Sequence, residues 1–254
     1  MITTTFKGGL GNQMFQYAIG RIIAEAKGHK LEINDPDNRR QQLLDTFPNA
    51  IGIDGDATKE NTLNVAPDLQ YLDLPAVRGH SGHVFLHGYW QKHYYYTPHK
   101  EKLKEWFTFD DSKYQKPDPD DLVLHVRLGD QLKPNPIGLP PSAETYVELL
   151  KQIPHKRCIL VSDEPDEPFL APVRHFPTVV TKIGKQMEDF AMIKHAKRVI
   201  ISQSTFAWWA SFLGDAETIW APVTTDGRIL WKSCPAVQDV DLVPLNGTYR
   251  KFKI

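Results

Sequence analysis

The run from His125 to Asp130, with the sequence His-Val-Arg-Leu-Gly-Asp, contains the side chains of this protein that are best suited to chemistry. It directly follows the apolar stretch 122–124, so a histidine, an arginine and an aspartate stand where a buried strand is expected to end. Ligands of open α/β sheets bind at the carboxyl ends of the strands. Because its planar guanidinium donates paired hydrogen bonds, Arg127 indicates a phosphate or carboxylate ligand. The alternative is an ordinary strand and turn, with Arg127 in a structural ion pair.

A glycine-rich loop near the start of the chain is a second candidate. The run from Gly8 to Gln13 follows a predicted strand and opens a helix, the geometry in which backbone N–H groups face an anion. No Gly-Lys-Ser/Thr follows, which excludes a P-loop, and Met14 stands where a dinucleotide fingerprint has its third glycine. The loop therefore either brings backbone close to a sugar or to a facing domain, or it is a plain turn.

Two other strand ends carry polar residues. At one, Ser202, Ser204 and Thr205 separate an apolar strand from a very apolar helix, whose tryptophans are expected in the core. A serine can cap this helix, and its free N–H groups and positive dipole end attract phosphate; a plain capped helix is the alternative. At the other, Ser162-Asp163-Glu164 follows an apolar strand. Carboxylates at such an edge bind ribose hydroxyls or the N–H groups of a base, and an exposed acidic turn is the alternative.

The segment Gly88-Tyr89-Trp90-Gln91, followed by His93 and three tyrosines, is rich in aromatic and hydrogen-bonding side chains. Sugar-binding surfaces have this composition, and a buried aromatic ladder has it too, so both interpretations stay open. The sequence contains no cluster of histidine, cysteine and carboxylates at metal-ligand spacing and no nucleophile elbow. We therefore expect no metal centre.

Composition limits the class of protein. The 254 residues are 41% hydrophobic and 24% charged, as in soluble globular proteins. Thirty basic and 31 acidic residues give a net charge of -1, which argues against nucleic-acid binding. Cys158 and Cys234 match no metal spacing, Cys158 is expected to pack as a small hydrophobe, and a reducing compartment is favoured. Without a visible signal peptide or an apolar run of about 20 residues, we expect a cytoplasmic protein. Peripheral association with the inner membrane face and the oligomeric state are left open.

Apolar periodicity predicts the alternation of strands and helices that is typical of parallel α/β domains. In the N-terminal part it predicts strands over 2–6, 31–33 and 84–86 and helices over 13–27 and 97–106, with loops and short elements over 34–84. In the C-terminal part it predicts strands over 122–127, 157–161, 178–180, 199–201 and 218–220 and helices near 142–152, 186–197 and 204–213. The polar, proline-containing stretch 114–121 is the best linker candidate.

These motifs, taken together and in this order, resemble α-1,2-fucosyltransferases of the bacterial and animal type. The segments that carry the resemblance are Gly8–Tyr17, Gly88–Gln91, His125–Asp130, Ser162–Glu164 and Ile201–Trp209. The resemblance implies an α/β, GT-B-like architecture of two facing Rossmann-like domains, with an acceptor-side domain over 1–116 and a GDP-sugar-binding domain over 117–254. It implies transfer of L-fucose from GDP-β-L-fucose to O2 of a terminal β-galactose of an oligosaccharide, with inversion and without a metal.

The resemblance also implies roles for individual residues. Arg127 matches the first arginine of the family's His-x-Arg-Arg-x-Asp motif and is expected to bind the donor pyrophosphate, with His125 beside the nucleoside. Asp163 is expected to hold guanine or ribose, and Ser204 and Thr205 to contact phosphate. Gly11, Asn12 and Gln13 are expected at the interdomain cleft near the fucose or the acceptor. Asp130 is the nearest candidate for the catalytic base, although it can instead cap a turn or orient Arg127.

The sequence departs from the family pattern at Leu128, where a second arginine is usual, and at Gln203, where asparagine or serine is common. Losing one cation weakens the expected stabilisation of the departing diphosphate. Two alternatives therefore accompany the fucosyltransferase interpretation. One is a related transferase that uses another GDP-sugar or another acceptor, and the other is a catalytically weak protein that binds a GDP-sugar or a glycan.

Overall fold

The computed structural model describes residues 1–36, 40–65, 72–129, 131–132, 140–223, 240–244 and 246–253. They form two compact units, Met1–Phe109 and Asp110–Ile254. The boundary between these units lies at 109/110. The division into domains over 1–116 and 117–254, which the resemblance implies, stays a prediction. No helix within the described ranges has the length and apolar character needed to cross a membrane.

The first unit is built on a four-stranded parallel sheet. Its strands are β1 (Ile2–Thr5), β2 (Leu31–Asn34), β3 (Leu63–Val65) and β4 (Val84–Leu86), in the spatial order β2-β1-β4-β3. Its helices are α1 (Leu10–Lys27), α2 (Arg40–Thr46), α3 (Leu74–Gly79), α4 (His93–Tyr96) and α5 (Lys100–Trp106), with a 3-10 turn at Thr97–His99. Because β1 and β4 are neighbours, the segments that follow their carboxyl ends leave from the same edge of the sheet.

Helix α1 begins at Leu10, earlier than the predicted start near residue 13. The carbonyl of Gly9 accepts the N–H groups of Asn12 at 2.9 Å and Gln13 at 3.1 Å. The first turn therefore already includes three residues that the sequence placed in the loop, 10–12. The turn itself depends on Gly8, whose φ of +78° lies in the region that favours glycine. Gly28, with a φ of +65°, ends the helix as predicted.

The second unit contains a six-stranded parallel sheet. Its strands are β5 (Asp121–Val126), β6 (Arg157–Ser162), β7 (Val179–Lys182), β8 (Arg198–Ile200), β9 (Thr218–Val223) and β10 (Tyr249–Lys253). Its helices are α6 (Ala143–Gln152), α7 (Ala171–Arg174), α8 (Gln186–Lys194) and α9 (Thr205–Leu213), with a 3-10 turn at Pro168–Leu170. Every strand pair of this sheet is parallel, so the predicted second Rossmann-like half is present.

The strand order of this sheet determines where a ligand would bind. From one edge to the other it is β7-β6-β5-β8-β9-β10, the order of a doubly wound dinucleotide-binding sheet. All six residues of β5 are buried, as a central strand covered on both faces requires. Strands β6 and β7 lie in sequence on one side of β5, and strands β8, β9 and β10 lie in sequence on its other side. The carboxyl ends of β5 and β8 therefore form the topological switch point, where such sheets bind ligands.

The core of the second unit confirms several expectations. Trp208 and Trp209 on α9 are buried, and the indole N–H of Trp208 donates to the carbonyl of Leu242 at 2.6 Å. Cys158 is a free, buried thiol in the core and packs as a small hydrophobe. Cys234 lies outside the described residues.

Helix α8 ends at Lys194, three residues before the predicted end at 197. The backbone N–H of His195 donates back to the carbonyl of Ala191 at 3.0 Å, and β8 begins soon afterwards. Both Lys194 and the His195 ring donate to the carboxylate of Asp111 at 2.8 Å. Burial raises the pKa of Asp111, but these hydrogen bonds outweigh it and lower the pKa to about 2. Asp111 thus ties the first residues of the second unit to the end of α8.

Candidate functional site

The predicted polar residues of the second unit gather at the switch point between β5 and β8. Ser202, just beyond β8, makes two of the contacts that join them. Its Oγ lies 2.9 Å from Nδ1 of His125 and accepts the backbone N–H of Arg127 at 3.1 Å. Because these residues are 77 and 75 positions away from Ser202 in the chain, the pairing exists only through the strand order. From the sequence, Ser202 and Ser204 were both candidate helix caps, and this role of Ser202 was not predicted.

His125 is a neutral histidine in this site. Its side chain is buried at the end of β5, and its ring packs against Phe206 with centroids 6.3 Å apart. Burial is the main cause that lowers its pKa to about 4; the positive charge of Arg127 lowers it further, and Asp163 opposes the shift. At neutral pH the ring is therefore uncharged and can share hydrogen bonds but adds no positive charge for a phosphate.

Asp163 follows β6 on the other side of β5. Its Oδ1 accepts the backbone N–H of Leu128 at 2.8 Å, and its Oδ2 accepts that of Gly129 at 3.1 Å. The carboxylate therefore binds the loop that carries Arg127, a contact that the expected guanine or ribose role did not include. Whether Asp163 also contacts a nucleoside stays a prediction.

Helix α9 presents its N-terminus beyond β8. Ser204 is the N-cap residue, and its Oγ accepts the backbone N–H of Ala207 at 3.3 Å, while its own N–H donates to the carbonyl of Ser202 at 2.8 Å. The first N–H groups of any helix lack an intrahelical partner, and the dipole makes that end positive. Thr205 is the first residue of the helix and is largely buried. This end of α9 is able to bind an anion, and Ser204 retains its hydroxyl proton as a donor.

Leu128, the position at which the family has a second arginine, belongs to the hydrophobic core of the second unit. Its side chain is fully buried among apolar residues that include Leu124 and Tyr146. Because residue 128 packs into the core, it does not contribute a cation to the site. Among the described residues of this motif, the cation is Arg127. Asp130, the candidate base, lies outside the described residues, and its role stays a prediction.

Two buried glutamines next to the site were not singled out as a pair by the sequence. The Nε2 of Gln131 lies 3.5 Å from the carbonyl oxygen of Gln203. The Oε1 atoms of both side chains are buried without a hydrogen-bond partner. A buried acceptor without a partner is destabilising, and such groups in native proteins call for an explanation such as a bound water or ligand. In the sequence, the only signal for Gln203 was its departure from the pattern of the α-1,2-fucosyltransferases that the chain resembles.

The polar residues predicted in the first unit meet at the carboxyl ends of β1 and β4. The Oδ1 of Asn12 accepts a hydrogen bond from Nε2 of Gln91 at 3.0 Å, which joins the glycine-loop motif to the aromatic motif. Gln13 is buried and donates to the carbonyl of Gly8 at 3.3 Å, while its Oε1 has no partner. A Cβ built on Gly9 meets no atom within 4 Å, so its backbone is open on that side.

The aromatic motif is mainly a buried structure. Trp90, Tyr95 and Tyr96 are buried, whereas Tyr94 is 41% exposed. Trp90 has a φ of +55°, which is unfavourable for a bulky residue, and its carbonyl accepts hydrogen bonds from the Tyr96 hydroxyl at 2.7 Å and the Lys92 N–H at 2.8 Å. The backbone is thus held in a strained conformation, which typically costs about 1–3 kcal/mol and is concentrated at functional sites. The residue that follows this strained position, Gln91, donates a hydrogen bond to Asn12.

Within the described part of the chain, no group of three or more histidine, cysteine or carboxylate side chains is placed to hold a metal ion.

Comparisons with known proteins connect this architecture to glycosyltransferases. No protein-family model matches the chain. An alpha-1,2-colitosyltransferase from Escherichia coli is 24% identical in an alignment that covers 84% of this chain and 87% of the relative. The crystal structure of fucosyltransferase NodZ from Bradyrhizobium superposes with a TM-score of 0.51 and 11% identity, over 86% of this chain and 94% of that chain. E. coli ADP-heptose LPS heptosyltransferase II gives a TM-score of 0.50 and 12% identity, over 99% and 89%.

The two structural neighbours are GT-B glycosyltransferases, and the predicted α/β, GT-B-like fold class is confirmed. The chain therefore shares the fold of these two solved structures and is distantly similar in sequence to a colitosyltransferase. Membership of the α-1,2-fucosyltransferase family stays a prediction.

Proposed function

We propose that this protein is an inverting glycosyltransferase that moves L-fucose from GDP-β-L-fucose to O2 of a terminal β-galactose. The observation that carries the proposal is the position of Arg127. Its backbone is held at the switch point by Ser202, two residues before the N-cap of α9. A guanidinium and a helix N-terminus at one sheet edge suit a nucleoside diphosphate.

The proposed reaction is a single displacement. O2 of galactose attacks C1 of fucose from the face opposite to GDP, the bond between C1 and the β-phosphate oxygen breaks, and its electron pair leaves with GDP. The negative charge that develops on GDP is stabilised by Arg127 and by the N–H groups at the start of α9. The O2 proton passes to a base, for which Asp130 is our candidate. Inversion of the β-linked donor gives an α-1,2-linked product.

The remaining roles follow the same division between the units. In the second unit we assign the neutral His125 to the nucleoside side of the donor and Ser204 and Thr205 to its phosphates. In the first unit we assign Gly11, Asn12 and Gln13 to the sugar or the acceptor; the strained backbone at Trp90 and the bond between Asn12 and Gln91 support this. We further propose that the reaction needs no metal.

A second candidate differs in the sugar that is transferred. The E. coli relative is an alpha-1,2-colitosyltransferase and shares the proposed linkage type. The test therefore offers the purified protein GDP-fucose or GDP-colitose, with lactose as acceptor and EDTA present, and identifies products by mass spectrometry and NMR. An α-1,2-fucosylated lactose supports the first candidate. A product from colitose alone supports the second, and the absence of both GDP binding and any product refutes both.

Arg127→Ala provides the residue-level test. We expect kcat to fall about 10²–10³-fold, the scale for losing one key donor in a preorganised site, with the fold retained because the backbone contact to Ser202 remains. Arg250→Ala is the matched control, since Arg250 is an exposed arginine on the edge strand β10. Circular dichroism and steady-state kinetics measure fold and rate. A folded Arg127→Ala protein with full activity would show that Arg127 does not stabilise the leaving group.

A further inference from the structure

The loop after β5 has three consecutive backbone N–H groups that are all bound by side chains from neighbouring strand ends. Arg127 N–H donates to Ser202, and the N–H groups of Leu128 and Gly129 donate to the two carboxylate oxygens of Asp163. Successive backbone N–H groups in a turn form a concave binding site for an anion. In this protein the anion in that site is the carboxylate of Asp163.

Gly129 provides an independent sign that this contact is built into the fold. A Cβ added at Gly129 would lie 2.8 Å from Oδ2 of Asp163, closer than real Cβ atoms approach a neighbour. A side chain at this position would therefore displace the Asp163 carboxylate from its present place. The pair consists of residues 34 positions apart, on the two neighbouring strands β5 and β6.

We propose that Asp163 is a positioning residue, which fixes the loop of residues 127–129 and so sets the place of Arg127. Because the Asp163 carboxylate fills the backbone anion site, the donor phosphates do not bind to these N–H groups. They bind instead to Arg127 and to the N-terminus of α9. This inference rests on the proposed function for its effect on turnover. The two hydrogen bonds that the Asp163 carboxylate accepts from Leu128 and Gly129, called the clamp below, can be measured without any donor.

The test removes the clamp from either side. Asp163→Ala deletes the carboxylate, Asp163→Asn replaces one acceptor oxygen by a donor, and Gly129→Ala leaves the carboxylate intact but displaces it. Asp166→Asn is the matched control, because Asp166 is an exposed carboxylate three residues further along the chain. Hydrogen exchange followed by mass spectrometry reports on the peptide that contains residues 127–129. We expect at least about tenfold faster exchange in the three variants, since each loses a hydrogen bond to a charged acceptor, and no change in the control.

Turnover with GDP-fucose and lactose separates positioning from direct contact with the nucleoside. We expect kcat to fall about tenfold or more with a smaller change in KM, and we expect formate, but not chloride at equal ionic strength, to restore part of kcat and the exchange protection in Asp163→Ala. Guanosine binding is expected to stay unchanged, because the clamp acts on the phosphate side.

Unchanged exchange in all three variants would refute the clamp. Faster exchange with wild-type kcat, or a fall in guanosine affinity as large as the fall in kcat, would overturn the positioning role. If the wild-type protein neither binds GDP nor transfers fucose, the proposed function fails, while the exchange data still decide whether Asp163 holds the loop. Because Gly129→Ala and Asp163→Asn alter the same contact differently, a folding defect in one variant does not prevent the test.

Discussion

The buried His125 should make the second unit lose stability in mildly acidic solution. Burial lowers its pKa from the ordinary value of 6.5 to about 4 in the folded protein. When the pH falls below 6.5, the unfolded chain binds a proton at this residue and the folded protein does not. The unfolded state is thereby favoured, and the loss continues until the pH reaches about 4, where the folded protein is protonated too.

The size of the effect follows from the shift. The difference of 2.5 between the two pKa values corresponds to about 3 kcal/mol in total, at about 1.4 kcal/mol for each pKa unit. Between pH 7 and pH 5 the linkage relation gives a loss of about 2 kcal/mol from this residue alone. Other groups titrate in the same range, so the quantity to compare is the difference between the wild-type protein and a variant without the imidazole.

His125→Asn is the suitable variant, because its side-chain amide can occupy the position of Nδ1 and still bond to Ser202. Urea unfolding is measured at pH 5, 6 and 7 by pulsed hydrogen exchange, with peptides from β5 as the readout, so that the second unit is followed by itself. His175→Asn, at an exposed histidine, is the control. We expect the wild type and the control to lose about 2 kcal/mol more than His125→Asn between pH 7 and pH 5.

NMR of the histidine ring in the folded protein gives a second, direct measurement. A His125 pKa near 6.5, or an equal pH dependence of stability in the wild type and His125→Asn, would refute the reasoning. The first result would mean that the ring is hydrated and not buried between Ser202 and Phe206. Either result would also remove the argument that a neutral ring faces the nucleoside.

Two further predictions concern stability of the second unit. Leu128→Ala is expected to lower the free energy of unfolding of the second unit by about 2–5 kcal/mol, and Leu128→Met by less than about 1.5 kcal/mol. Leu128→Arg is expected to lower it by more than Leu128→Ala, because it buries an unpaired charge. Equal urea midpoints for the three variants would contradict the core position of Leu128. Asp111→Asn is expected to lower the free energy of unfolding by about 2 kcal/mol at pH 7. The wild type is expected to lose this contribution as the pH falls from about 3.8 to about 2, and the variant is not, as urea unfolding across that range would measure.

The sequence was sufficient to locate the strand ends that carry the polar residues. Strands in parallel sheets have strong apolar runs, and the run before His125 was recognisable because β5 is buried on both faces. Element ends were less predictable. The first turn of α1 was missed because it contains Gly11 and Asn12, which are poor helix formers, and its stability comes from the carbonyl of Gly9 and from burial.

The interpretation of individual polar residues depended on information that local sequence does not contain. An arginine in the family pattern suggested that residue 128 faces the ligand, but the structure turns this position into the core, where leucine fits. The aromatic motif was equally compatible with a sugar surface and a buried ladder. The burial of Trp90, Tyr95 and Tyr96 shows that most of this motif packs inside the first unit. No sequence rule predicts the positive φ of Trp90.

The hydrogen bonds that organise the site were out of reach because they join residues from different strands. Ser202 acts on His125 and Arg127, and Asp163 acts on Leu128 and Gly129, only because β8 and β6 flank β5 in the sheet. A strand order with β5 at an edge would leave one of these two side chains without its partner. It follows that substitutions at Ser202 and Asp163 should act through the position of Arg127. Their effects on turnover should then be less than additive with that of Arg127→Ala, since a displaced arginine and an absent one lose the same interaction.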